Sequence, residues 1–170
     1  MSGRSVGALF LAAVVLSGCG GRATPATSVA EPGPSSHPSG ITDGEYFGWV
    51  EGIEDGAIRF DPAELLTGEE ASRAALEDGF IGDGDPLPND FYIRDPGVDT
   101  ITVPLAAGAS YRLLLFVDGA PEETEVSLEE VVGALTGHNP DVYGVAGGEF
   151  PATITVERGE VTAIVQTYLP

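Results

Sequence analysis

Ala152-Thr153-Ile154-Thr155-Val156-Glu157-Arg158-Gly159-Glu160-Val161-Thr162-Ala163-Ile164 sets the fold class. Apolar and hydroxyl-bearing residues alternate on both sides of Arg158-Gly159, the pattern of two half-buried strands joined by a tight turn. A two-residue turn sets Val156 opposite Val161 and Ile154 opposite Ala163, with Thr153, Thr155 and Thr162 on the other side. β-branched residues dominate both arms, and such side chains fit a pleated surface. The second arm continues to Tyr168, so an antiparallel sheet is expected here.

The same signal recurs near residue 50. Tyr46–Ile53 and Ala57–Phe60 flank Asp55-Gly56, a strong hairpin dipeptide. This register sets Ile53 opposite Ile58 and Glu51 opposite Phe60. Phe47, Trp49, Ile53, Ile58 and Phe60 then share one face, with Glu51 as the single charge on it. Gly48 and Gly52 fall on the other face, where they permit strong twist or the close approach of another element.

Helix signals come next. Asp61-Pro62-Ala63-Glu64 offers an N-cap, a proline at the first helical position and an acidic residue behind it. Thr67-Gly68-Glu69-Glu70 reads as a capping box for a longer helix ending near Asp78, with Gly79 as its left-handed terminator. Glu69–Arg73 and Arg73–Glu77 are spaced to pair on its wet side, while Ala71 and Ala75 give a thin face for close packing. Phe91–Arg94 and Thr100–Val103 flank Asp95-Pro96-Gly97 and read as a further hairpin. Tyr111–Val117 is apolar on both faces apart from Arg112, as a central strand would be. Ser127-Leu128-Glu129-Glu130 is a second capping box, for a helix ending near Gly137. The expected fold is α+β: a twisted, mostly antiparallel sheet of about seven strands curled toward a small barrel, with two or three short helices.

Several stretches of this region resemble a group of small exported bacterial proteins. They are Gly44–Val50, Phe60–Glu64, Thr67–Ala71, Pro88–Arg94, Val161–Ile164 and Tyr168-Leu169-Pro170. The resemblance implies a single exported domain over 42–170 and brings no activity, cofactor or catalytic residue with it.

Ahead of that domain, Arg4 precedes an uncharged apolar run, Val6 to Leu16, and then Ser17, Gly18 and the only cysteine, Cys19. Eleven apolar residues suit a signal-peptide core, whereas a spanning helix needs about 20. Leu16-Ser17-Gly18-Cys19 resembles the lipobox of bacterial lipoprotein signal peptides. The resemblance implies removal of residues 1–18, a diacylglyceryl group on the Cys19 thiol, and a lipid-anchored protein on the extracytoplasmic side of the cell membrane. The other reading of the same run is an ordinary secretory signal that contains a cysteine. Residues 20–40, rich in Pro, Gly, Ser, Thr and Ala, cannot bury a core. Residues 19–41 are therefore expected to be a lipidated cysteine and a disordered tether, whose coil would span about 25 Å.

Charge narrows the partners. The full sequence has seven arginines, no lysine, 27 acidic residues and a formal charge of −20; loss of Arg4 leaves six arginines and one more net negative charge. Such a chain repels nucleic acid and anionic headgroups, so no nucleic-acid partner is expected and the membrane partner must be reached through acyl chains. A single cysteine excludes an internal disulfide and, once lipidated, thiol catalysis.

Chemistry-bearing residues are few. The domain's one histidine, His138, has no Gly-x-Ser-x-Gly elbow to serve, and one histidine is too few for a zinc site. No catalytic residue is assigned. Asp83, Asp85, Asn89 and Asp90 place four oxygen-bearing side chains in a Gly/Pro loop, a candidate calcium site, although Leu87 and Arg94 break the EF-hand pattern. Its alternative is a solvated turn, with no cofactor at all. Glu51, on an apolar face, is a candidate buried carboxylate; its alternative is an ion pair with Arg59 or Arg112. Two functions follow. One is a non-catalytic lipoprotein that binds or scaffolds an envelope protein through a sheet face or through Tyr92, Tyr143 and Tyr168, which are expected to be exposed aromatics. The other is a small envelope enzyme using carboxylates, with or without calcium.

Overall fold

The computed structural model describes residues 41–139, 141–145 and 148–169. The expectations for residues 1–40, Leu16, Ser17, Gly18 and Cys19 among them, lie outside the described residues. The described part is α+β, with eight strands and two helices.

Five strands close into a barrel. β1 (Gly44–Glu54) lies between β2 (Ala57–Pro62) and β7 (Phe150–Glu157). β7 pairs with β8 (Glu160–Gln166), and β8 runs parallel to β5 (Ile101–Val117). The start of β5 pairs with β2 and completes the ring. Beyond the barrel, β5 carries β6 (Ala120–Val126) on its far half. Three two-residue turns make the hairpins: Asp55-Gly56, Asp118-Gly119 and Arg158-Gly159 all have positive φ at both positions. That backbone twist matches the twist of the strands it joins.

Two β-bulges correct the expected registers. Val50 faces Phe60 and Gly52 faces Arg59, leaving Glu51 as the extra residue on β1. The bulge reverses the alternation, so Gly48 and Val50 turn inward with Phe60 while Phe47 and Trp49 are only half-buried. Gly48 is therefore on the core side: a Cβ there would run into the Asp61 carbonyl oxygen and the Phe60 ring. On β8, Thr162 is the extra residue, so Ile154 faces Ile164 instead of Ala163, while Val156 still faces Val161.

The helix expected at Asp61–Glu64 does not form. Asp61 and Pro62 extend β2 opposite Trp49 and Gly48, and β3 (Glu64–Thr67) follows. Its partner is β4 (Phe91–Arg94), which therefore does not pair with residues 100–103; instead residues 101–104 close the barrel against β2. α1 (Gly68–Glu77) starts at Thr67, whose side chain makes no cap bond. It ends as expected at Gly79, with Gly79 N–H donating to the Leu76 carbonyl and Phe80 N–H to the Ala75 carbonyl. The expected pairs of Arg73 give way to a long contact with Glu70, because Glu77 is taken by Arg94. α2 (Leu128–Leu135) has the full capping box at Ser127 and Glu130, and it buries Val131, Ala134 and Leu135 in the barrel core. That core holds Phe60, Phe150, Ile58, Leu113, Ile154 and Ile164, all fully buried.

Candidate functional site

The two-stranded ribbon β3–β4 has two unlike faces. Tyr92 and Arg94 meet α1: Arg94 Nε donates to Asp78 Oδ2 at 2.8 Å, and its Nη2 reaches Asp78 Oδ1, Glu77 Oε2 and the Ala74 carbonyl. The guanidinium thus sits on the C-terminal end of α1, where a cation offsets the exposed carbonyls. The Arg94 hydrogen bonds hold the Asp78 carboxyl below the usual aspartate range. Loss of hydration, then Asp78, raises the Tyr92 phenol.

Leu65, Thr67 and Phe91 share the other face and form one wall of an open groove of about 910 Å³. Gly68, Glu69 and Ser72 of α1 line one end, and Leu87, Asn89 and Asp90 of the preceding loop line another. Tyr168 and Leu169, just beyond β8, complete it. The volume falls within the range of ligand clefts, and the lining is mainly apolar.

Tyr168 also ends a row of three rings. Its ring stacks on Tyr143 at 5.4 Å between centroids, and Tyr143 meets Phe116 edge-on at 5.3 Å. Tyr168 is 48% exposed and Phe116 51%. Large apolar rings left in water on a rigid support are a mark of interaction surfaces. The support is specific. Tyr143 N–H donates to the Leu114 carbonyl, and the buried Gln166 side chain accepts from Leu114 N–H at 2.8 Å and donates to the Tyr143 carbonyl at 2.6 Å. Loss of hydration, then the neighbouring Tyr168 phenol, raises the Tyr143 phenol.

The acidic candidates lie elsewhere or apart. Glu51, on its bulge, is half-buried, accepts from the Arg59 guanidinium and takes a 3.4 Å bond from the Thr100 hydroxyl. Burial, then Glu51 and Asp95, raises the nearby Asp61 carboxyl, yet none of these three acids lines a described groove. Asp83, Asp85, Asn89 and Asp90 are all exposed. Asp85 turns back to accept from Gly82 N–H at 3.2 Å, which closes its own turn, while Asn89 and Asp90 face the groove. Among the described residues no three His, Cys, Asp or Glu side chains gather as a metal site would require. His138 Nδ1 is 2.9 Å from Thr136 Oγ1, and the Ser127 hydroxyl is engaged by Glu130.

Of the three tyrosines expected to be exposed, only Tyr168 is; Tyr143 is half-buried beneath it, and Tyr92, also half-buried, packs against Phe80 on the ribbon. Phe116 escaped sequence reasoning because it lies in the apolar run Leu113–Val117, which reads as a buried central strand. Leu65 and Phe91 escaped because the pairing of β3 with β4 is not written in either segment. No family model, no curated protein and no solved structure matches this chain.

Proposed function

We propose that the chain is a lipid-anchored envelope protein whose folded domain binds another envelope component without covalent chemistry. The observation that carries this reading is the open apolar groove continuous, through Tyr168, with the supported aromatic row. Binding surfaces of this kind are concave and apolar with a few polar groups at the rim. Asp61, whose carboxyl burial raises, and Glu51 line none of the described grooves, and Glu51 is already paired with Arg59. The lipobox at Leu16–Cys19 supports the anchor. Among the described residues no helix is long and apolar enough to cross a membrane.

Two experiments test the two halves. Mass spectrometry of the mature N-terminus should show acyl mass on Cys19, and Cys19→Ser should release the protein from the membrane fraction. A photo-crosslinking amino acid at Leu87 or Leu169 should trap one discrete partner in cells, whereas the same group at the exposed Val98 should not. Equal trapping from all three positions would reject the groove as the contact.

A further inference from the structure

We infer that the groove between β3, α1 and Leu169 takes a basic protein segment that inserts an apolar side chain and places its cations on Glu69 and Asp90. This rests on the binding reading above and names the chemistry of the partner.

Leu65, Leu87, Phe91 and Leu169 give the groove its apolar walls, and among the described residues its only charged lining side chains, Glu69 and Asp90, are acids. Neither makes an ion pair among the described residues, whereas Arg59, Arg73, Arg94 and Arg112 are each matched to a carboxylate of their own. The groove therefore has negative charge to spare and, among the described residues, no cation of its own. The whole chain, at −20, adds a field that draws in basic partners and slows acidic ones.

The N-terminal end of α1 also opens on the groove, and such an end favours anions. Here Glu69 and Glu70 in the first turn already supply that negative charge. An acidic peptide or a phosphate would meet Glu69 and Asp90 within a Debye length, about 8 Å at physiological salt, and be repelled. A neutral sugar could stack on Tyr168 but would leave both carboxylates without a counter-charge. A guanidinium satisfies both features, because it pairs with a carboxylate and stacks on an aromatic face. The size of the groove, about 910 Å³, admits several side chains of a segment and is far larger than a lone cation needs.

The test uses the chain as purified from the membrane fraction in detergent micelles. A random 12-residue peptide library is selected on it, and enriched peptides are measured by fluorescence anisotropy against wild type, Leu169→Asp, Leu87→Asp and the Glu69→Gln/Asp90→Asn pair. Circular dichroism melts confirm that the variants fold. A panel of neutral oligosaccharides is measured in parallel. Enriched peptides should carry an excess of Lys and Arg around an aliphatic or aromatic residue. Leu169→Asp and Leu87→Asp should abolish their binding. The Glu69→Gln/Asp90→Asn pair should weaken it about tenfold, and so should a rise from low to 0.5 M salt. Enriched peptides that are neutral or acidic but still depend on Leu169 overturn the charge inference and leave the groove reading intact. Leu169-dependent binding of an oligosaccharide in place of peptides does the same. Peptide binding untouched by both Leu variants, or no enrichment at all, overturns the groove reading and the inference together.

Discussion

Phe60 and Phe150 are fully buried in the barrel, whereas α1 buries only Ala71, Ala74 and Ala75 against the β3–β4 ribbon. An alanine brings little apolar area, so the ribbon and α1 rely on polar fastening: Arg94 to Asp78, Glu77 and the Ala74 carbonyl. The barrel relies on excluded water. Arg94 and its two carboxylate partners are reachable by solvent, where such bonds are weak and respond to salt and pH. The groove is thus built on the less securely fastened region and braced against the more secure one, the usual division between a binding surface and its scaffold.

The comparison breaks most readily at Phe60. Phe60→Ala should lower global stability by about 3–5 kcal/mol, read as an earlier denaturant midpoint. Arg94→Ala should instead raise hydrogen exchange in α1, β3 and β4 and leave the barrel midpoint nearly unmoved. If the two variants unfold alike, the regions are one cooperative unit and the distinction fails.

Gln166→Met probes the seam between barrel and aromatic row. It strands the buried Leu114 N–H, at about 1–3 kcal/mol for a group left unpaired in the interior, and frees the half-buried Tyr143 carbonyl at a smaller cost. Tyrosine fluorescence should report loss of the Tyr143–Tyr168 stack alongside the loss of stability.

The two helices offer a smaller contrast. Ser127→Ala should cost about 1 kcal/mol, because Ser127 caps α2. Thr67→Ala should stay within about 0.5 kcal/mol of wild type, because Thr67 makes no cap bond to α1. Matching losses from a thermal melt would contradict the observed difference between the caps.

Acid should separate the regions with the smallest effect. Arg94 depresses the Asp78 carboxyl, so its stabilisation is present above the unfolded aspartate value and is lost as pH falls through the lower folded value. Asp61 in β2 has the opposite sign: burial raises it, so its ionisation opposes folding as pH climbs through the raised value. Below the ordinary aspartate range, α1 amides should lose exchange protection before those of β1 and β2. Asp61→Asn should remove the barrel's share of this pH dependence and leave the α1 share unchanged.

The turn dipeptides Asp55-Gly56 and Arg158-Gly159 made two hairpins legible in the sequence, and the α+β class with them. Gly79 and the Ser127 capping box were equally plain, because each acts within a few residues. The bulges at Glu51 and Thr162 were not legible, since neither residue carries a local signal and each is fixed by the strand opposite. β6 was missed although Asp118-Gly119 marks its turn. Pro121 and three glutamates argue against a strand, yet an edge strand tolerates both and is protected by them from pairing with other chains. Asp61-Pro62 misled in the other direction: a helix-start signal was overridden by pairing with Trp49 and Gly48. The groove was the least legible feature of all, because its walls come from β3, β4, α1 and the segment after β8, which meet only in the folded chain.

The Gln166 amide has a thermodynamic consequence for recognition. Because it fastens the Tyr143 backbone to β5, the ring is already held in one place before any ligand arrives. Immobilising a free side chain on binding costs about 0.5–1.5 kcal/mol of entropy, and here folding has already met that cost. Association at the aromatic row should therefore proceed with little rearrangement of its own rings, and its heat should come mainly from the contacts made and the water released.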